Sequence, residues 1–182
     1  MNFFNKYFCD THKLLNQVDH NDLIKSIKLI KSTNKLGKKI IFCGNGGSAA
    51  ISSHLSVDFS KACSIRAINF NEADLITCFA NDYGFENWIV EALKVYADKG
   101  DLLILISSSG ESLNMIKAAD EAIKLGLKLI TFSGFNKKNT LRKKGLINFW
   151  VNSEIYNYVE MVHHIWLVSL VDFIQKEKCN GN

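Results

Sequence analysis

From residue 38 onward, short apolar runs alternate with amphipathic stretches along the chain. The runs at 38–43, 65–70, 102–106, 127–132 and 147–151 are rich in Ile, Leu and Phe. They are too short for helices and continuous enough for strands buried on both faces. Helical patterns lie between them at 47–61, 72–80, 85–98 and 112–125, with a short helix near 138–144 and a long final helix over about 156–177. Strands alternating with helices predict a parallel sheet covered on both faces. Ahead of this pattern, Phe3, Phe4, Tyr7, Phe8, Leu14, Leu15 and Val18 predict an irregular amphipathic helix. Asn21 is expected to cap a second helix with Leu23, Ile24, Ile27, Ile30 and Leu36 on one side, ended by Gly37. The chain reads as one domain over 1–182, a helical arm at 1–36 and an α/β core at 37–182. The arm either covers the core or packs on another subunit.

Composition adds exclusions. Hydrophobic residues make up 47% and charged residues 22%, enough for a full core and too apolar for a disordered chain. The net charge of +4 comes from scattered lysines, and only Lys137, Lys138, Arg142, Lys143 and Lys144 cluster. That cluster reads as a solvated loop and helix end, which argues against a nucleic-acid partner. The five cysteines form no CxxC pair, and Cys43 and Cys78 sit in apolar context, as expected of reduced thiols in a cytoplasmic protein. No basic segment followed by an apolar run opens the chain, so no secretory signal is expected. No apolar stretch approaches the roughly 20 residues of a membrane span.

Two strand–helix junctions carry the candidate chemistry. Gly44-Asn45-Gly46-Gly47-Ser48 follows the first strand, and Ser107-Ser108-Ser109-Gly110-Glu111-Ser112 follows the run at 102–106. The first turn of a helix offers unpaired N–H groups and the positive end of its dipole. Serine hydroxyls add donors, and glycine lets a ligand approach the backbone. The glycine loop is neither a dinucleotide fingerprint, because position 49 is Ala49, nor a Walker loop, because no Gly-Lys-Ser/Thr follows. Taken alone it also fits a plain tight turn. The serine loop is harder to justify by packing and points to a phosphate or sugar. In a parallel sheet both loops lie at the carboxyl ends of strands, where ligands bind.

Three motifs together resemble the sugar isomerase (SIS) family, and within it the phosphoheptose isomerase branch. They are Cys43-Gly44-Asn45-Gly46-Gly47-Ser48 with His54 downstream, Ala80-Asn81-Asp82-Tyr83-Gly84-Phe85, and Ile106-Ser107-Ser108-Ser109-Gly110-Glu111-Ser112. The resemblance covers nearly the whole chain. It implies a three-layer α/β/α sandwich around a five-stranded parallel sheet of flavodoxin-like order, and a homotetramer with sites between subunits. It implies interconversion of sedoheptulose 7-phosphate and a heptose 7-phosphate for surface polysaccharides. It places the phosphate on Ser107, Ser108, Ser109 and Ser112. The sugar falls to Asn45, Gly46, Gly47 and Ser48, with Asp82 at the opposite rim.

Such an isomerase moves a proton between adjacent carbons and needs a base and an acid. In the family a glutamate and a histidine do this, and in many members they bind zinc with a second histidine and a glutamine. Here His54 matches the first histidine. Asp58 stands in the glutamate position, about 1.5 Å shorter in reach. Glu160 stands for the glutamine, and Val168 for the catalytic histidine. Valine neither transfers a proton nor binds metal. Residues 160, 164 and 168 share a helix face, so His164 lies one turn from the lost position. The resemblance thus implies Asp58 as base, Glu160 or His164 as acid, and His54, Asp58, Glu160 and His164 as an altered zinc set. The alternative is a non-catalytic SIS module that binds a phosphosugar or a protein partner, as in a replication-initiator-binding relative. Equally, His54 and Asp58 fit a solvated helix face, and Glu160, His163 and His164 fit a helix–helix or subunit contact.

Overall fold

The computed structural model describes residues 2–180. Its strands are β1 (Ile40–Gly44), β2 (Ala67–Asn69), β3 (Leu102–Ser107), β4 (Lys128–Ser133) and β5 (Ile147–Trp150). They form one sheet in the order β2-β1-β3-β4-β5, with every pairing parallel. The helices are α1 (Phe3–Leu15), α2 (His20–Lys35), α3 (Gly47–Lys61), α4 (Ala73–Tyr83), α5 (Trp88–Tyr96), α6 (Leu113–Lys124) and α7 (Tyr156–Asn180).

Two-residue periodicity divides the core. Ile40 and Phe42 of β1, with Leu102, Ile104 and Ile106 of β3, face α1, α2, α3 and α7 through Leu14, Ile30, Leu55, Phe59 and Leu167. Ile41, Cys43, Leu103 and Leu105 face the other way, onto Trp88, Ile89, Met115 and Ala118 of α5 and α6. The outcome is the expected three-layer sandwich. Each buried Ile, Leu or Phe side chain contributes roughly 1.5–3 kcal/mol, so both faces of β1 and β3 are anchored. The position of the two loops follows from that anchoring.

Several boundaries differ from the sequence expectation for local reasons. Asp19, not Asn21, caps α2: its carboxylate accepts the Asn21 N–H at 2.8 Å, and Asn21 already lies in the first turn. β2 is shorter than 65–70, because Ser64 takes a positive φ of 55° and the Ile65 N–H bonds back to the Phe59 carbonyl of α3. The short helix near 138–144 is a single 3-10 turn, Leu141–Lys143. In α2, Ile27 and Ile30 are buried but Ile24 and Leu36 are exposed, so its apolar row is only partly covered. All five cysteines are free, and burial pushes the Cys43 thiol far up. Among the described residues no helix is long and apolar enough to cross a membrane.

Candidate functional site

The sheet reverses direction between β1 and β3: the strand after β1 lies to one side and the strand after β3 to the other. The two loops therefore open on one crevice at the carboxyl end of the sheet. A cavity of about 270 Å³ lies there, lined by Asn45, Gly46, Ser48, Ile106, Ser107, Ser108, Ser109, Ser112, Tyr156 and Glu160.

Its donors come from backbone and hydroxyls. α3 begins after Gly46 and α6 after Ser112, and neither cap residue supplies a side-chain hydrogen bond to its helix. Apart from those of Ala49 and Met115, which are already bonded, the first-turn N–H groups of two helices are thus available to a ligand. The Ser108 hydroxyl is buried and has no partner. A buried hydroxyl left unpaired costs free energy, so its presence marks a place for an acceptor. The rest of the serine loop is braced: Ser107 Oγ accepts the Gly110 N–H at 3.3 Å, and Ser109 Oγ accepts the Glu111 N–H at 3.2 Å. Gly110 has a φ of +67°, and the Asn139 side chain fills the space a Cβ would need.

The Asn45 side of the cavity is more constrained than the sequence indicated. Asn45 and Asn114 exchange amide hydrogen bonds, Asn45 Nδ2 to Asn114 Oδ1 at 3.0 Å and Asn114 Nδ2 to Asn45 Oδ1 at 2.8 Å. Each amide keeps one further N–H, Asn45 Oδ1 keeps one further lone pair while Asn114 Oδ1 also accepts the Met115 N–H at 3.1 Å, and Asn45 cannot swing freely. Gly47 does not line the cavity; it lies under the Glu160 carboxylate, which a Cβ there would overlap. Glu160 is the one ionisable carboxylate in the cavity wall, and burial pushes its pKa above the ordinary carboxylate range. Tyr156 and Asn114 escaped the sequence reading. Tyr156 was detectable as the residue one helical turn before Glu160.

The remaining candidates lie apart. Asp82 is exposed on α4, accepts the Asn81 amide at 2.9 Å and does not line this cavity. His54 and His164 border a separate cavity of about 340 Å³ with Ile165, Val168, Ser169 and Asp172. His54 Nε2 lies 3.0 Å from Asp58 Oδ2, and His54 Nδ1 lies 2.7 Å from His164 Nε2. Burial, and then the neighbouring His54, hold the His164 pKa below its ordinary value, with Asp58 acting the other way. His163 is a core residue: it is fully buried, and its Nε2–H donates to the Ser133 carbonyl at 3.0 Å. Burial pushes its pKa down to about 4, partly offset by that hydrogen bond.

The zinc set implied by the resemblance is therefore not gathered. Glu160 opens on one cavity and the His54–His164 pair on another. Among the described residues no group of three or more His, Cys, Asp or Glu side chains is placed to hold a metal ion. Two imidazole nitrogens bound tetrahedrally to one zinc would stand roughly 3.3 Å apart; the observed 2.7 Å is a hydrogen-bond separation.

The sequence profile of the SIS domain matches residues 6–134, which spans both loops. This chain belongs to the SIS domain family, on its phosphoheptose isomerase branch. The phosphoheptose isomerase of Clostridium acetobutylicum is 33% identical over 175 residues, 91% of this chain and 87% of that one. That of Fusobacterium nucleatum is 32% identical over 147 residues, 77% and 74% of the two chains. The solved structure of a phosphoheptose isomerase from Francisella tularensis superposes with a TM-score of 0.87 at 24% identity, covering 97% of this chain and all of the other. The SIS profile match ends at Gly134, so it spans both loops and stops short of α7.

Proposed function

We propose that this chain is an aldose–ketose isomerase acting on a phosphorylated sugar, with sedoheptulose 7-phosphate and a heptose 7-phosphate as its pair. The observation that carries the reading is the single cavity at the β1/β3 crevice, where the serine loop, two uncapped helix starts and the Glu160 carboxylate converge. The phosphate sits against the 107–112 loop, where the unpaired Ser108 hydroxyl and the α6 amides donate to its oxygens. The sugar then extends toward Asn45 and Ser48. Glu160 is the group in reach of the carbon whose proton moves. As a carboxylate it takes the proton from one carbon of the enediol pair and returns it to the next, while the hydroxyl proton passes between the two adjacent oxygens. Its elevated pKa brings it closer to the operating pH, where base strength and ionised fraction are balanced.

The assembly is a homotetramer with its sites between subunits, and the compartment is the cytoplasm. Asp82 is exposed and does not line its own chain's cavity, which suits a residue that completes the site of a neighbouring copy. The valine at 168 favours a second reading, a non-catalytic module that holds a phosphosugar or a protein partner. One experiment separates the two readings. Incubated with sedoheptulose 7-phosphate in deuterated water, an isomerase exchanges the proton beside the carbonyl and forms aldose, both visible by NMR. A module that binds the sugar phosphate without exchange or product leaves the second reading.

A further inference from the structure

We propose that Asp58, His54 and His164 form a hydrogen-bonded chain that holds protons where a metal centre would need free lone pairs, so that this site works without zinc. The hydrogen-bonded chain lies at the cavity beside α3 and α7, not at the serine cavity. It stands whether or not the isomerase reading holds.

Donor and acceptor bookkeeping fixes the chain. Asp58 Oδ2, 3.0 Å from His54 Nε2, is an acceptor, so that nitrogen carries the hydrogen. With His54 neutral, its lone pair lies on Nδ1, directed at His164 Nε2 at 2.7 Å, and His164 donates. The rings meet edge to face, 4.9 Å between centroids and 87° between planes, which suits a donor of one ring aimed at the lone pair of the other. Both nitrogens of His54 are thereby occupied. His164 keeps only Nδ1 as an acceptor. A metal taking His54 Nδ1 and His164 Nε2 would have to expel the shared hydrogen and spread the nitrogens by roughly 0.6 Å.

Further donors for such a metal are also lacking on the helix that carries His164. Along the 160, 164, 168 row of α7, Glu160 opens on the other cavity, and Val168 contributes only methyl groups here. Asp172 and Ser169 complete the wall without joining a three-donor cluster. Asp58 and neutral His54 thus act as positioning residues: they hold His164 in the Nε2–H tautomer. Binding a metal requires deprotonated ligands, and the hydrogen bonds of the chain oppose that step.

The test reads metal and tautomer rather than turnover. The full-length protein is purified without chelator, its zinc is measured by elemental analysis, and zinc is then titrated in while unfolding temperature is followed. Substoichiometric zinc and an unchanged unfolding temperature are expected, because a ligand that binds the native state raises that temperature. Histidine two-bond proton–nitrogen spectra should show the Nε2–H tautomer for both His54 and His164, unmoved by added zinc. Stoichiometric zinc that disappears in His54→Ala, or histidine spectra that shift on zinc addition, would overturn the proposal. Zinc that survives His54→Ala sits elsewhere and leaves the chain as described. Val168→His supplies the donor the row lacks, and tighter zinc uptake by that variant than by the native protein is the expected result.

Discussion

Glu160 and His163 stand three residues apart on α7 and meet opposite fates, which burial explains. Glu160 borders a cavity, where partial burial raises its pKa and leaves it ionisable. Glu160→Gln keeps the shape and removes the base. The turnover number should fall about 10²- to 10⁴-fold, the usual contribution of a positioned acid–base group, while KM changes little. In the native protein activity should fall as pH drops through the raised pKa of Glu160, because only the carboxylate accepts a proton. That acid limb should vanish in the variant, as pH-dependent exchange by NMR will show. His163 has no exposed surface, its Nδ1 has no partner, and its pKa lies at about 4 against 6.5 for a free imidazole. The unfolded chain takes up a proton below 6.5 that the folded chain refuses. The stability associated with neutral His163 is therefore whole above pH 6.5 and is lost as pH falls toward 4, by about 3 kcal/mol. Urea unfolding at pH 7 and pH 4.5 checks this; an equal pH slope in His163→Met would assign the loss to other groups.

At the scale of elements, function depends on how closely α7 approaches the start of α3. The Glu160 carboxylate occupies the space beside Gly47 that any side chain would need. Gly47→Ala sets two effects against each other. Alanine favours the helix by up to about 1 kcal/mol, while its methyl pushes aside the flexible end of Glu160. The unfolding midpoint should hold or rise while proton exchange drops at least about tenfold, as expected when a catalytic group loses its placement. A variant with native exchange would show that Glu160 need not sit where it is found. The same junction marks what was legible in the sequence. α3 and the position of both loops are legible, because an apolar run ending in Gly or Ser before a helical period is a local signal. The split of the α7 row between two cavities was not, because it depends on α3 packing across α7. Asn114 was missed for a similar reason: its partner Asn45 lies 69 residues away, and an asparagine inside a helical period carries no local sign of such a pair.

For the whole molecule, the least covered feature is the outer face of α1. Phe3, Phe4 and Phe8 are 72%, 65% and 64% exposed, although α1 packs on α7 and buries Leu14. The rings form an edge-to-face run, Phe3–Phe4 at 5.4 Å and Tyr7–Phe8 at 5.9 Å, and Tyr7 continues it onto Tyr158 of α7. An amphipathic helix normally turns such a face inward; here the chain's own core lies on the other side. Adjacent exposed aromatics of this kind mark a contact surface, and in the proposed homotetramer the covering surface belongs to another copy. Each ring buried there would contribute about 2 kcal/mol. Phe4→Ser with Phe8→Ser should therefore lower the sedimentation coefficient at micromolar concentration, while circular dichroism keeps the native helix content because neither ring supports its own chain's core. The active-site consequence follows from Asp82, which is exposed and does not line the cavity of its own chain. If subunit contact brings it to a neighbour's site, the double variant should lose sugar turnover in step with its dissociation and regain it at high protein concentration. Turnover independent of concentration would confine the site to a single chain.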